Sequence, residues 1–312
     1  MSRTALLFAG QGAQTVGMGK DLAQKFQIAG QWFERAKAAL GYDLGQICFT
    51  GPEPELTKTE HAQPGIFLVS WIAWQLLKQQ VPNLNAEAAA GLSLGEFTAL
   101  TAAGAMSFED GLRLVRKRGI FMQQACEATS GGMAAIIGLD EAPTREVCAQ
   151  AGVVLANLNC PGQLVISGGT EQIARACELA KARGARRALP LPVAGAYHSS
   201  LMAGAQPKLA LELEHVTIHA PQLAVISNVT AEPHGEPATI RARLVEQVTS
   251  PVQWESSMRH LLRQGFDRFI ELGPGTALSG FIKRIDKNVT MLNVADPASL
   301  ESTTASLLAG AT

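Results

Sequence analysis

An α/β fold built on a parallel sheet is what the sequence predicts, and three observations predict it. Short apolar runs alternate with helix-length amphipathic segments along the chain. One such run, 87–92, ends in Gly91-Leu92-Ser93-Leu94-Gly95, a G-x-S-x-G turn that leads into a helix, as in a hydrolase-like core. Between 131 and 191 the elements follow the order β-α-β-β-α-β, that of a ferredoxin-like unit. The predicted architecture is a hydrolase-like core over 1–129 and 194–312, with a ferredoxin-like subdomain over 130–193 inserted in it.

Each element has a local reason. Residues 4–9 are an apolar run that enters a glycine turn, which reads as a buried strand. Helical periodicity covers 22–40 and 66–77, the second opened by Pro64 near its first turn. The strand 87–92 is followed by helices over 94–103 and 109–126. Gly131-Gly132 opens the small unit. There, 133–138 reads as a strand and 143–151 as a helix. The strands 153–158 and 163–167 pair around the turn Asn159-Cys160-Pro161-Gly162. A helix over 171–183 and a strand over 187–191 complete it. After Pro192 helical periodicity resumes, with further strands at 224–228, 266–271 and 288–294.

Composition excludes several classes. Lys plus Arg number 26 and Asp plus Glu 27, so the net charge of −1 gives no overall basic footprint for nucleic acid. The cysteines are five, an odd number with no C-x-x-C, which argues against both a disulfide framework and a structural zinc site. The longest apolar stretch, 66–77, is too short to span a bilayer. The expectation is a soluble, cytoplasmic monomer.

The chemistry concentrates at Ser93. The flanking glycines permit a tight turn, and the following helix directs its amides and positive dipole end at the serine hydroxyl. A nucleophilic serine needs a base. Of six histidines, His61, His215, His219, His234 and His260 lie in polar or helix-surface contexts. His198 sits in Ala196-Tyr197-His198-Ser199, just past the small unit. Between Ser93 and His198 the only aspartates are Asp110 and Asp140, each at an element boundary, so a dyad with a neutral partner fits better than a Ser-His-Asp triad. The turn Gly10-Gln11-Gly12 after the first strand fails the dinucleotide pattern, because Thr15 stands where the third glycine belongs. Such a turn can instead offer amides to an oxyanion. Arg113, Arg116, Lys117 and Arg118 form either a solvated basic face or, if Arg118 turns inward, a carboxylate clamp.

Taken together the motifs resemble the acyltransferase family of fatty-acid and polyketide synthases, in particular malonyl-CoA:acyl carrier protein transacylases. The resemblance runs from Phe8 to Val294. It rests on Gly10-Gln11-Gly12-Ala13-Gln14, Gln63-Pro64, Gly91-Leu92-Ser93-Leu94-Gly95-Glu96, Arg118-Gly119, Asn159-Cys160-Pro161-Gly162-Gln163, Tyr197-His198-Ser199, Pro251-Val252-Gln253-Trp254 and Glu271-Leu272-Gly273-Pro274-Gly275. It implies that Ser93 carries the acyl group, His198 is the base and Arg118 holds a malonyl carboxylate. It further implies that the amides of Gln11 and Leu94 form an oxyanion hole and that the backbone carbonyl of Gln253 orients His198. Gln63, Asn159 and Tyr197 would line the pocket, the Tyr197 ring excluding an α-methyl group. The partners it implies are malonyl-CoA and acyl carrier protein, with no metal or redox cofactor. Leu92 departs from the family, which usually has His before the nucleophile. A serine hydrolase and a non-catalytic carrier-binding module remain the competing classes. The basic cluster Lys181, Arg183, Arg186 and Arg187 reads equally as a carrier-protein contact or a solvated helix end.

Overall fold

In the computed structural model, which describes residues 2–309, strand alternation decides the architecture. Met1 and residues 310–312, the outermost ends of the expected core, lie outside the described residues. The first strand, β1 (Arg3–Phe8), leads through a glycine turn to α1 (Lys20–Lys25) and α2 (Gln27–Leu40). The sequence reads these two as one helix over 22–40. Phe26 breaks it, with extended backbone at φ −123° and ψ 115°. Two short helices unforeseen from the sequence follow, α3 (Leu44–Thr50), capped by the Asp43 carboxylate, and α4 (Glu53–Thr57).

The next helix, α5 (Thr59–Gln80), corrects a second expectation: it starts five residues before Pro64 and carries that proline inside. An interior proline costs about 3 kcal/mol. Against this, Ile66, Phe67, Leu68, Val69, Ile72, Leu76 and Leu77 are all fully buried. Burial of each contributes about 1.5–3 kcal/mol, so packing wins. Then come β2 (Ala86–Gly91), α6 (Leu94–Ala102) and α7 (Phe108–Glu127).

The middle of the chain is β3 (Gly131–Ile137), α8 (Glu141–Ala151), β4 (Val154–Cys160), β5 (Gln163–Gly169), α9 (Thr170–Ala182) and β6 (Arg187–Pro190). Its four strands form an antiparallel sheet in the order β4-β5-β3-β6, which is ferredoxin-like. The β4–β5 turn is tighter than the sequence suggests. Asn159 and Cys160 belong to the strand, and Pro161-Gly162 alone make the corner, Gly162 at φ +67°.

A 3-10 helix over Ser200–Ala205 precedes α10 (Gln206–Glu214), β7 (Ala224–Val225), α11 (Pro237–Glu246), α12 (Trp254–Arg263), β8 (Phe266–Leu272), α13 (Ala277–Ile285), β9 (Thr290–Val294) and α14 (Pro297–Ala309). The strand expected at 224–228 shrinks to two residues because Ile226 and Ser227 turn back to pair with Pro233 and Glu232. The large sheet is wholly parallel, in the order β7-β2-β1-β8-β9. Along β1, Leu6 and Phe8 enter one apolar cluster, while Ala5 and Leu7 enter another on the opposite face. Both faces are therefore covered, as parallel sheets require. The small sheet has a separate core around Ile136, Val147, Leu155 and Ile166. Among the described residues no helix is long and apolar enough to cross a membrane.

Two close approaches place the Ser93 turn. A Cβ on Gly91 would stand 2.0 Å from the backbone of Gly95, and one on Gly95 would stand 2.3 Å from the Phe8 carbonyl oxygen. The start of α6 thus presses directly on the ends of β2 and β1. We expect Gly95→Ala to destabilise the fold by about 1–3 kcal/mol, because backbone on both sides leaves nothing to rotate away. Thermal unfolding measures this, and an unchanged melting temperature would contradict the contact.

Candidate active site

The carboxyl ends of β1 and β2 lie side by side, the position where parallel sheets gather their ligands. Leu92 N–H donates to the Phe8 carbonyl and ties the two exits together. The chain then turns sharply, with Ser93 at φ 53° and ψ −103°. That conformation is strained for a residue with a side chain. It lifts the hydroxyl over the first turn of α6, whose Leu94 amide has no intrahelical acceptor. The Gln11 amide, on the turn after β1, has no hydrogen-bond partner among the described residues.

His198 approaches from the segment after the small sheet, itself at φ 58°. Its Nε2 is 2.9 Å from Ser93 Oγ. Its Nδ1 faces two carbonyl oxygens, that of Gln247 at 2.9 Å and that of Ser250 at 3.1 Å. Only an N–H satisfies two carbonyls, so Nδ1 carries the proton and Nε2 offers its lone pair to the serine hydroxyl. Burial, with Arg118 nearby, lowers the imidazole to about 4. At neutral pH it is an unprotonated base.

Arg118 turns inward from α7 and is 1% exposed. Gly119 makes this possible: a Cβ there would lie 2.5 Å from the Thr59 carbonyl, so α7 packs against the first turn of α5. The guanidinium donates to Gln63 Oε1 at 2.8 Å, to Ser93 Oγ at 3.0 Å and to Gln247 Oε1 at 2.9 Å. Its Nε–H has no partner among the described residues. Burial brings the group down to about 10, still cationic at pH 7. A buried serine, a neutral histidine and a buried cation with an unspent donor thus share one point.

The chain matches the family model described as "Acyl transferase domain" over residues 5–299. It is 43% identical over 306 residues to the malonyl CoA-acyl carrier protein transacylase of Bacillus subtilis, covering 96% of each chain. The protein belongs to the acyl transferase family. The solved malonyl CoA-acyl carrier protein transacylase of Coxiella burnetii superposes with a TM-score of 0.94 at 36% identity, covering 97% of each chain. A malonyl-transacylase solved in complex with its type II polyketide synthase acyl-carrier protein gives 0.94 at 39% identity, covering 98% of this chain and 100% of that one.

Within this acyl transferase, the structure brings some of the residues expected from the sequence together and leaves others apart. Gln63 is fully buried, and its Nε2 reaches Gln11 Oε1 at 3.4 Å. Tyr197 lies beside them, its hydroxyl 2.8 Å from Thr59 Oγ1. Gln253 does not orient His198. Its carbonyl accepts from Ser257 N–H and Oγ–H at the start of α12, and the carbonyls at Nδ1 come from Gln247 and Ser250 instead. Asn159 is not drawn into the cluster: it is buried on β4 with Oδ1 unpartnered among the described residues. Nor is His234 solvated. It is buried, with Nε2 2.6 Å from Glu96 Oε1. Leu92 packs over the Gly10 turn. Lys181 and Arg187 stay on the surface, while Arg183 stands 3.9 Å from Glu146.

Three residues of this site escape sequence reading. Asn228 accepts from Ser93 N–H at 2.6 Å and donates to the Gly91 carbonyl at 2.8 Å. Glu96 sits in the quoted motif, yet nothing local shows its burial. Gln247 lies in a loop without any motif. An Asn three residues past the strand at 224–225 is the only one with a usable signal.

Proposed function

We propose that this acyl transferase moves a malonyl group from malonyl-CoA to the phosphopantetheine thiol of an acyl carrier protein, through an ester on Ser93. The observation that carries this reading is the buried Arg118 cation beside the serine, with an Nε–H left unpaired. A buried guanidinium calls for an anion, and a malonyl thioester brings one at the far end of its acyl chain. The names of the relatives, and the carrier protein bound to one of them, support the same substrates.

In the first half-reaction Ser93 Oγ bonds to the thioester carbonyl carbon as its proton passes to His198 Nε2. The amides of Gln11 and Leu94 receive the oxyanion. The C–S bond then breaks, and the coenzyme A sulfur takes the proton from Nε2. In the second, the carrier thiol gives its proton to Nε2 and attacks the ester, and Oγ leaves with that proton. The carbonyls of Gln247 and Ser250 stabilise the imidazolium that forms, in place of the absent aspartate. We assign acyl transfer to the core of 1–129 and 194–312 and treat 130–193 as its inserted subdomain, supported by the subdomain's separate apolar cluster. We place the activity in the cytoplasm, which five free, buried cysteines support.

Intact-mass measurement after incubation with malonyl-CoA tests the reading. A malonyl adduct that discharges only when carrier protein is added is expected. Steady release of free malonate would show a hydrolase, and no adduct would show a binding module.

The pH dependence has a definite sign. His198 must be neutral to accept a proton, so acylation should hold constant down to about pH 5 and be halved near the depressed value of about 4. In the unfolded chain the same group titrates near 6.5. The unfolded state therefore binds the extra proton first, and the stability this histidine contributes is full above about 6.5 and is lost as pH falls toward 4. Single-turnover acylation between pH 3.5 and 7.5 checks the first expectation; a half-point near 6.5 would refute a buried, neutral base.

Tyr197 supplies a size filter on this reading, since its anchored ring takes the space an α-methyl needs. A methyl clash costs about 1–3 kcal/mol. Tyr197→Ser should raise methylmalonyl-CoA use relative to malonyl-CoA, measured by competition on the folded variant. An unchanged ratio would reduce Tyr197 to packing.

A further inference from the structure

We propose that Glu96 and the side-chain amide of Gln247 are a positioning pair: they aim the Arg118 guanidinium and fix the Ser93 backbone, and so set the preference for a carboxylate-bearing acyl group. The proposal rests on the reading of Arg118 as the carboxylate clamp. Neither residue enters the proton transfers described above, and both are buried beneath them.

The polarity of an amide is what makes the pair specific. Gln247 Nε2 donates to Glu96 Oε2 at 2.5 Å and to the Ser93 carbonyl at 3.0 Å. Two acceptors around one end decide which end is nitrogen, so Oε1 must face Arg118, where it accepts at 2.9 Å. A flipped amide would set oxygen against two oxygens and an NH2 group against a cation. Glu96 is held in turn by His234 Nε2 at 2.6 Å and by Asn228 N–H at 3.2 Å. Both side chains of the Glu96–His234 pair are completely buried.

The same carboxylate grips both ends of the Ser93 residue. Asn228, bonded to Glu96 through its own N–H, takes the Ser93 N–H with Oδ1. Gln247 takes the Ser93 carbonyl. A strained φ of 53° persists only when its surroundings over-determine it, and these bonds do so. Glu96 also opposes the desolvation of Arg118, as the largest charge contribution favouring the cation.

The test compares acylation by malonyl-CoA and acetyl-CoA in wild type, Glu96→Gln, Arg118→Ala and the double variant, with folding checked by thermal unfolding. Glu96→Gln should lower the malonyl-to-acetyl ratio by about tenfold, a coupling of ordinary size for residues in one network. In the Arg118→Ala background the same change should leave the ratio where Arg118→Ala put it. Equal losses for both substrates, in both backgrounds, would overturn the positioning role and leave Glu96 as plain structure. If Glu96→Gln does not fold, Gln247→Leu carries the comparison, since it deletes the amide while keeping the backbone carbonyl that His198 uses. An Arg118→Ala enzyme with the wild-type ratio would instead overturn the clamp itself, an outcome read from that single variant.

Discussion

Ser93→Ala should abolish the malonyl-enzyme adduct, and His198→Ala should slow its formation by about 10²–10⁴-fold, the usual worth of a positioned general base. The two losses differ in kind. Without Oγ there is no atom to acylate, and no other hydroxyl occupies the turn between β2 and α6. Without the imidazole the hydroxyl remains, still receiving a bond from Arg118 at 3.0 Å and still lying over the helix start. That leaves a slow residual reaction supported by the Gln11 and Leu94 amides. Mass spectrometry of the peptide containing Ser93, with a time course for the His198 variant, decides both. A malonyl label elsewhere in Ser93→Ala, or full-speed acylation in His198→Ala, would remove the dyad.

Arg118→Ala carries the second large effect. Truncating one partner of a buried charge pair costs about 2–5 kcal/mol, so malonyl acylation should fall by about 30-fold to several thousand-fold. Acetyl-CoA, which offers a neutral methyl, should lose far less and become the better competitor. The structure adds a further sign. Arg118 is one of the two causes that hold His198 down, so its removal should shift the acid limb of the pH profile upward from about 4. Arg118→Lys should recover only part of the malonyl rate, because an ammonium cannot span the three acceptors that the planar fork now serves, Gln63, Ser93 and Gln247. A variant Ala enzyme that still prefers malonyl over acetyl would refute the clamp.

Much of the architecture was legible because it is local or periodic. The apolar run of β1, the short run before Ser93 and the β-α-β-β-α-β order each announce themselves within a few residues, and all were found in place. Where local reading failed, burial had overridden a local signal. The proline inside α5 is outweighed by the apolar side chains around it. The periodicity across α1 and α2 continues through Phe26 although the chain bends there. Beyond Val225 only the Ile226 amide still reaches the sheet, while Ser227 closes a turn that no local pattern shows.

At the site, the division follows sequence distance. The elbow at Ser93 could be read because its glycines, serine and helix start are contiguous, and His198 stood out by its neighbours. Family resemblance brought in Arg118 and the Gln11 turn, but it pointed to Gln253 where the fold uses Gln247. The sequence alone determined the glycine-flanked serine turn, the class of sheet that presents it and the absence of a suitably placed aspartate. Only the tertiary structure decided what takes that aspartate's place and what surrounds it: two loop carbonyls about fifty residues beyond His198, and the buried network of Glu96, Asn228, His234 and Gln247. A backbone carbonyl carries no side-chain signature, and a buried Glu or Gln looks like a surface one until packing removes its water. Those contacts span more than a hundred residues, so no window of sequence contains both partners.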